Sequence, residues 1–253
     1  MSDFASSSED KLFYSRIDDM IRLSDKKGAV YSSFLNEKEC ANAQRRLENF
    51  GCKNFRFYGV FNDPARKMLC VYREYFEPCD DDFPIDCLTF VFKNEGKLSH
   101  RDFLGALMAL GIKRETVGDI VIEGTTAQIA VCRAVKNVIV NDIKKIGSEG
   151  VKYKEDFGGI LEKRQDFKEI DGTVQSMRLD AVAGLALGLS RTKTAALIKS
   201  AGAEVNFVLR NDCSFILSEQ DVFSIRGFGK FIVAENSGIT KKGRIHIKVL
   251  KYC

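Results

Sequence analysis

The sequence predicts an α+β protein with three successive domains, residues 1–76, 77–172 and 173–253. Three observations support this division. Segments with helical periodicity alternate with short strand-like segments along the chain, and the acidic stretch Pro78–Pro84 is typical of a linker. The last third is basic: from Val174 onward there are 12 Lys and Arg against 6 Asp and Glu, a net charge of +6, whereas the preceding residues carry −2. Such asymmetry indicates a polyanionic partner.

The first domain is predicted to be a small N-terminal α/β domain with two helices and a hairpin. Phe13, Ile17, Met20 and Ile21 recur at helical spacing. A second helix should begin after Asn36, because Glu39 completes a capping box, and should end at Gly51. Its apolar stripe is Cys40, Ala43, Leu47 and Phe50. Segments 54–61 and 68–75 are strand-like and predict the hairpin.

The middle domain is predicted to be ferredoxin-like. The predicted strands are 85–92, 119–123, 127–133 and 151–153, with one helix after Ser99 and another from Val135. This β-α-β-β-α-β order is the ferredoxin-like split, which RNA-recognition motifs share. Those motifs stack bases on aromatic residues of the third strand. Residues 126–130 contain no aromatic residue, so base stacking of that kind is not expected in this RRM-like domain.

Composition excludes several classes of protein. The longest apolar stretch, Ala181–Leu189, has nine residues, about half the ~18 that a membrane span needs, and the acidic, serine-rich N-terminus does not predict a secretory signal. The eight cysteines form no C-x-x-C pair, and only His100 and His246 could complete a zinc site. We therefore expect a cytoplasmic protein with reduced thiols, no metal and no cofactor.

Catalytic motifs are incomplete. His100-Arg101-Asp102 matches the start of a kinase catalytic loop, but that loop needs an Asn where Leu107 stands. Asp102 is better explained as the N3 residue of a helix capped by Ser99. The segment Gly227-Phe228-Gly229 has two of the three glycines of a dinucleotide fingerprint and lies between strand-like segments. No Cys–His or Ser–His–Asp pairing follows from the spacing, so we expect no catalytic residues and no enzyme activity.

The third domain carries the clearest functional signal, in two short helices. The first should break at Gly188, and Ser190 should cap the second. At 100° per residue, Thr194, Leu197 and Ile198 fall on one side of the second helix, and Arg191, Thr192, Ala195, Ala196 and Lys199 fall on the other. Cations beside alanines let a phosphate backbone approach closely, and a helix N-terminus binds anions. From the residues alone, a solvated face beside a small core is the alternative.

The same stretch resembles the alpha-L RNA-binding domain, first named for ribosomal small-subunit protein S-four. The matching residues are Arg178-Leu179-Asp180, Ser190-Arg191-Thr192-Lys193, Ile198-Lys199, Gly202, Val205-Asn206, Asp221 and Ile225–Phe231. Phe207 departs from the pattern, because the family often has Gly after the Asn. The resemblance implies an S-four-like domain in which Leu179, Asp180 and Asn206 hold the fold. The RNA contacts it implies are Arg178, Ser190, Arg191, Thr192, Lys193, Lys199, Arg226 and Lys230.

Along its full length the chain is similar to the YlmH-type family. The motifs are His100–Gly105, Leu110–Arg114 and Gly118-Asp119-Ile120. The resemblance implies a non-catalytic, monomeric clamp on ribosomal RNA of the large ribosomal subunit, acting with peptidyl-tRNA in quality control of stalled translation. A second contact, with tRNA or a ribosomal protein, would involve Arg101, Lys113 and Arg114. Two alternatives stay open: an RNA-modifying enzyme like a pseudouridine synthase, and a cell-division interaction factor.

Overall fold

A computed structural model of the chain describes residues 8–155, 158–163, 165–239 and 243–252. The chain divides into two compact units, Met1–Lys163 and Arg164–Cys253, which we call the first and the second unit. Helices and strands alternate in both, which confirms the predicted α+β class. No helix of the described ranges is long and apolar enough to cross a membrane. The division into three domains stays a prediction.

The first unit begins with helices packed on a small sheet. Its elements are α1 (Ser8–Lys27), β1 (Ala29–Asn36), α2 (Glu37–Asn49), β2 (Phe55–Tyr58) and β3 (Arg66–Tyr72). The strands pair antiparallel in the order β1-β3-β2, so the predicted hairpin is β2–β3 and β1 is an additional strand. The predicted capping box of α2 is confirmed. Asn36 Oδ1 accepts a hydrogen bond from Glu39 N at 2.9 Å, and the Glu39 carboxylate accepts one from Asn36 N at 2.7 Å.

A second sheet follows in the first unit. Its elements are β4 (Ile85–Val91), α3 (His100–Ala109), β5 (Val117–Glu123), β6 (Thr126–Cys132), α4 (Lys136–Asp142), β7 (Lys145–Ile146), β8 (Glu149–Gly150) and β9 (Lys152–Lys154). Four strands pair antiparallel in the order β5-β6-β4-β9, and β7 pairs with β8 alone. The Asp102 carboxylate accepts hydrogen bonds from Ser99 N at 2.7 Å and Ser99 Oγ at 2.6 Å. The predicted capping role of Asp102 is therefore confirmed.

The two sheets of the first unit share a core, which explains why the unit is compact across both. Phe34 and Met68 of the small sheet pack in one cluster with Val121 and Ala130 of the larger sheet. The approach is close at Gly118, where an added Cβ would lie 2.7 Å from the Phe34 ring. A separate core on the larger sheet contains Phe90, Phe103, Leu107 and Ile139.

The second unit places a helix pair on a six-stranded sheet. Its elements are β10 (Phe167–Val174), α5 (Leu179–Leu187), α6 (Arg191–Ala201), β11 (Ala203–Val205), β12 (Val208–Arg210), β13 (Val222–Ile225), β14 (Gly229–Ile239) and β15 (Ile245–Tyr252). The strand order is β10-β15-β14-β13-β11-β12. β10 pairs with β15 over its whole length. β10 therefore runs across the predicted domain boundary between residues 172 and 173. Leu179, Val182 and Ile198 of the helices pack on Phe223 and Phe231 of the sheet.

Candidate RNA interface

The turn between α5 and α6 fixes the start of α6. Gly188 ends α5 in the left-handed region, at φ +64° and ψ +30°, which glycine adopts without steric cost. Ser190 then caps α6, because its Oγ accepts from Lys193 N at 3.4 Å, and Thr194 Oγ1 donates to the Ser190 carbonyl oxygen at 3.1 Å. The start of α6 approaches α5 closely at Gly184, where an added Cβ would lie 3.3 Å from the Leu189 carbonyl oxygen of the turn and 3.5 Å from Thr194 Oγ1 of α6. The first N–H groups of α6 keep no partner within the helix.

The two sides of α6 follow the predicted spacing. Thr194 and Ile198 are fully buried and Leu197 is half-buried. The exposed residues are Arg191, Thr192, Lys193, Ala196 and Lys199, with Ser200 and Ala201 at the end of the helix. Ala195, which the spacing places on the exposed side, is half-buried, because it packs against the core of the second unit. The exposed side therefore combines three cations with a small residue.

Asp180, in the first turn of α5, binds Arg178 just before that helix and Arg191 at the start of α6. Arg178 donates from Nε to Oδ1 at 3.2 Å and from Nη2 to Oδ2 at 3.3 Å, and Arg191 donates from Nε to Oδ2 at 3.1 Å. Asp180 is only 4% exposed. Burial by itself would raise the pKa of Asp180, but the hydrogen bonds and charges of Arg178 and Arg191 outweigh burial and hold that pKa below its ordinary value. The carboxylate is therefore ionised and holds both guanidinium groups in place.

A cleft beside this carboxylate is lined by two arginines. Its volume is about 440 Å³, and Arg191 and Arg244 line it together with Gly188 and Thr173. Arg244 Nη2 donates to the Thr173 carbonyl oxygen at 3.0 Å. Guanidinium groups and a helix N-terminus together suit a phosphate group. Sequence reasoning counted Arg244 in the basic third but did not single it out, because its position beside α6 depends on the pairing of β15 with β10.

The remaining predicted contacts of the second unit lie elsewhere on it. Lys199 is eight residues after Arg191 in α6, about 12 Å along the axis. Arg226 is exposed in the turn between β13 and β14. The Lys230 ammonium lies 4.7 Å from the centre of the Tyr252 ring and 5.6 Å from that of Phe207. The structure thus groups the predicted contacts around α6 and leaves Arg226 and Lys230 on the sheet.

The predicted second contact lies in the first unit. Arg101 is exposed in the first turn of α3, and Lys113 is exposed just before the short 3-10 turn Arg114–Thr116. Arg114 is half-buried, and its Nη1 donates to the carbonyl oxygens of Val117 at 2.5 Å and Gly118 at 3.4 Å. Backbone carbonyls therefore hold Arg114 in place, whereas the other two side chains extend into solvent.

The second unit places a basic helix pair on an antiparallel sheet, and the first unit contains a β-α-β-β-α-β segment. A basic surface of this kind suits a polyanionic ligand. Residues 78–157 match the family model described as "Putative RNA-binding domain in YlmH". The ribosome-associated protein quality control protein P2 of Bacillus subtilis (strain 168) is 32% identical over 190 residues, which are 74% of this chain and 74% of that protein. The chain belongs to the YlmH-type family of RNA-binding proteins.

A solved structure shares the fold. The chain is similar to the cell division protein ylmH from Streptococcus pneumoniae, with a TM-score of 0.52 and 22% identity. The similarity covers 62% of this chain and 96% of that one. The family match at 78–157 lies in the first unit, whereas the α5–α6 surface lies in the second.

Proposed function

We propose that this protein binds structured RNA, without catalysing a reaction on it, through the exposed surface of α5 and α6. The observation that carries the proposal is the Asp180 carboxylate, which holds Arg178 and Arg191 beside the N-terminus of α6. The proposed contacts are Arg178, Ser190, Arg191, Thr192, Lys193, Lys199, Arg226 and Lys230. Arg244 joins them, because it lines the same cleft as Arg191.

The contacts are to phosphates rather than to bases. A-form RNA buries its base edges in a deep, narrow groove, so a rigid helix pair recognises its shape and its backbone. The guanidinium groups of Arg178 and Arg191 are already oriented by Asp180, and therefore less side-chain entropy is lost on binding. Each phosphate contact releases counterions, which makes the affinity depend strongly on salt.

The RNA we propose is ribosomal RNA of the large subunit, contacted in the cytoplasm together with peptidyl-tRNA during quality control of stalled translation. The name of the Bacillus relative supports this assignment, because it describes a ribosome-associated protein quality control protein. In the same proposal, residues 77–172 form a ferredoxin-like domain, residues 173–253 form an alpha-L domain, and the protein acts as a monomer.

The environment of Asp180 favours a binding protein over an RNA-modifying enzyme. Its Oδ2 accepts hydrogen bonds from two arginines and its side chain is 6% exposed, so the carboxylate stabilises the helix pair. The name of the Streptococcus structure raises a second candidate, a cell-division interaction factor. Affinity capture after nuclease treatment separates the two functions, because a direct protein partner survives the removal of RNA.

Sedimentation of the tagged full-length protein through a sucrose gradient of a cell lysate tests the ribosomal assignment. We expect the wild type to migrate with large subunits and Lys199→Ala to shift toward the top of the gradient. Lys168→Ala is the matched control, since Lys168 is an exposed lysine of the same unit, on β10 rather than on α6. The ribosomal assignment is wrong if the wild type stays at the top. If the wild type and both variants migrate with the subunits, the contact at Lys199 is wrong and the ribosomal assignment stands.

A further inference from the structure

Two arginines of the first unit meet at one backbone carbonyl. Arg66, the first residue of β3, donates from Nε to the Val117 oxygen at 2.9 Å and from Nη2 to the Phe34 oxygen at 2.9 Å. Arg114 donates from Nη1 to the same Val117 oxygen at 2.5 Å. Both residues are half-buried. The two guanidinium groups are therefore fixed side by side, with restricted freedom to separate.

Two carboxylates, Glu39 and Asp119, lie near this pair, and Glu39 already accepts a hydrogen bond from Asn36 N at 2.7 Å. In the described part of the chain, no ion pair joins either guanidinium to a carboxylate. The nearby Asp119 carboxylate is mostly buried and already accepts hydrogen bonds from Ala65 N at 2.8 Å and Lys163 Nζ at 3.2 Å. Burial lowers the pKa of Arg114, and the charge of Arg66 lowers it further. Fixed like charges of this kind are stabilised when an anion binds between them.

We propose that Arg66 and Arg114 form a phosphate-binding site in the first unit, and that it takes a backbone phosphate of the RNA. The RNA assignment rests on the proposed function, whereas the phosphate site itself stands on the geometry of the arginine pair. Backbone carbonyls hold Arg66 Nε and Nη2 and Arg114 Nη1. The donors left for phosphate oxygens are Arg66 Nη1 and the Nε and Nη2 of Arg114, and guanidinium groups fixed in this way bind with little loss of freedom. The exposed Lys113 and the half-buried Lys163 add positive charge around the pair.

His100 is a local reporter of this site. Desolvation lowers the pKa of His100, the charges of Arg114 and Lys163 lower it further, and Asp119 acts in the opposite direction. A phosphate bound between the arginines offsets the positive charges, so it should raise the pKa of His100. The chain has one other histidine, His246, which lies in the second unit opposite Asp171 at 3.4 Å. The two imidazoles therefore provide a probe and an internal control in one spectrum.

The first experiment follows both histidines of the full-length protein by proton NMR during a pH titration, with and without inorganic phosphate at constant ionic strength. We expect phosphate to raise the pKa of His100 by about half a unit and to leave His246 unchanged. Arg114→Gln and Arg66→Gln should abolish the shift while the circular dichroism spectrum stays that of the wild type. An unchanged His100, or equal shifts of both histidines, would overturn the phosphate site.

The second experiment identifies the source of the phosphate by measuring the affinity for an RNA hairpin by fluorescence anisotropy at several salt concentrations. We expect Arg114→Gln to weaken binding roughly tenfold and to reduce the slope of log affinity against log salt by roughly 0.7–0.9. Arg45→Gln is the matched control, an exposed arginine of the same unit on α2. Wild-type affinity and slope for Arg114→Gln would overturn RNA as the source.

Lys199→Ala in the same assay tests the α5–α6 surface independently. If Lys199→Ala loses affinity and Arg114→Gln does not, RNA binding at the arginine pair is overturned and the α5–α6 contact stands. The opposite result overturns the α5–α6 contact and supports the arginine pair. The histidine titration reports phosphate binding whichever of these results is found.

Discussion

Replacing Asp180 by Ala should destabilise the second unit by about 2–3 kcal/mol. The carboxylate accepts three hydrogen bonds from Arg178 and Arg191, and breaking a fully buried ion pair costs about 3–5 kcal/mol. The cost is smaller here, because the side chains of Arg178 and Arg191 are 35% and 49% exposed and become hydrated after the substitution. An acidic residue in the first helical turn adds about 0.3–1 kcal/mol.

Urea unfolding of the full-length protein, followed by hydrogen exchange of the α5 and α6 amides, measures this loss. Asp171→Ala is the matched control, an exposed carboxylate of the same unit that faces the half-buried His246, and it should change the unfolding free energy by less than about 0.5 kcal/mol. Asp180→Ala should destabilise the second unit more than it weakens RNA binding, because both arginines remain. An Asp180→Ala protein as stable as the wild type would refute the role of this carboxylate in holding the helix pair.

The stabilisation by Asp180 should also depend on pH in a defined direction. Because hydrogen bonds from Arg178 and Arg191 lower the pKa of Asp180 in the folded state, its contribution is complete above the unfolded pKa of about 3.9. It is lost as the pH falls through the folded pKa. The stability difference between wild type and Asp180→Ala should therefore be constant near neutrality and disappear in acid. A difference that grows below about pH 4 would contradict this sign.

Three further predictions concern the second unit. Phe207→Gly should raise the unfolding free energy by about 0.5 kcal/mol, because Phe207 has φ +63° in a two-residue hairpin turn, a conformation that glycine adopts at no steric cost. Little packing is lost, since the Phe207 ring centre is 5.6 Å from the Lys230 ammonium. Thermal denaturation measures the gain, and a lower unfolding free energy would contradict the prediction. Asn206→Ala should cost about 2 kcal/mol in the same assay, since its side chain donates to Asp221 at 2.7 Å and accepts from Val222 N at 3.0 Å; an unchanged midpoint would show that this network contributes nothing. A fragment 164–253 should fold and bind RNA more strongly than 1–163, whereas 173–253 lacks most of β10 and should fold less stably; stronger binding by 1–163 would refute the assignment.

Local signals made the helix pair predictable. Gly188 and the Ser190 cap set the boundaries of α5 and α6, and 100° spacing placed Ile198 inside and Lys199 outside. The capping residues Asn36 and Asp102 were predictable for the same reason. In each case the interaction lies within four residues along the chain, where sequence patterns carry the information.

Interactions between distant residues were not predictable. Strand β1 was not predicted, because Ser32 and Ser33 interrupt its alternation of apolar residues. Its register with β3 shifts at the same point, between Tyr31 and Phe34. Strand β10 is mostly exposed and depends on its pairing with β15, which is distant in sequence. The same holds for the binding of Asp180 to Arg191, eleven residues away, and for the meeting of Arg66 and Arg114.

The salt dependence of RNA binding by Lys199→Ala tests the central claim most directly. Lys199 is exposed on α6, its neighbour Ile198 supplies the core contact, and its truncation removes a cation without disturbing the carboxylate of Asp180. With an RNA hairpin and the full-length protein, we expect weaker binding and a slope of log affinity against log salt reduced by roughly 0.7–0.9, with Lys168→Ala unchanged. Wild-type affinity and slope for Lys199→Ala would contradict an RNA contact at this surface of α6.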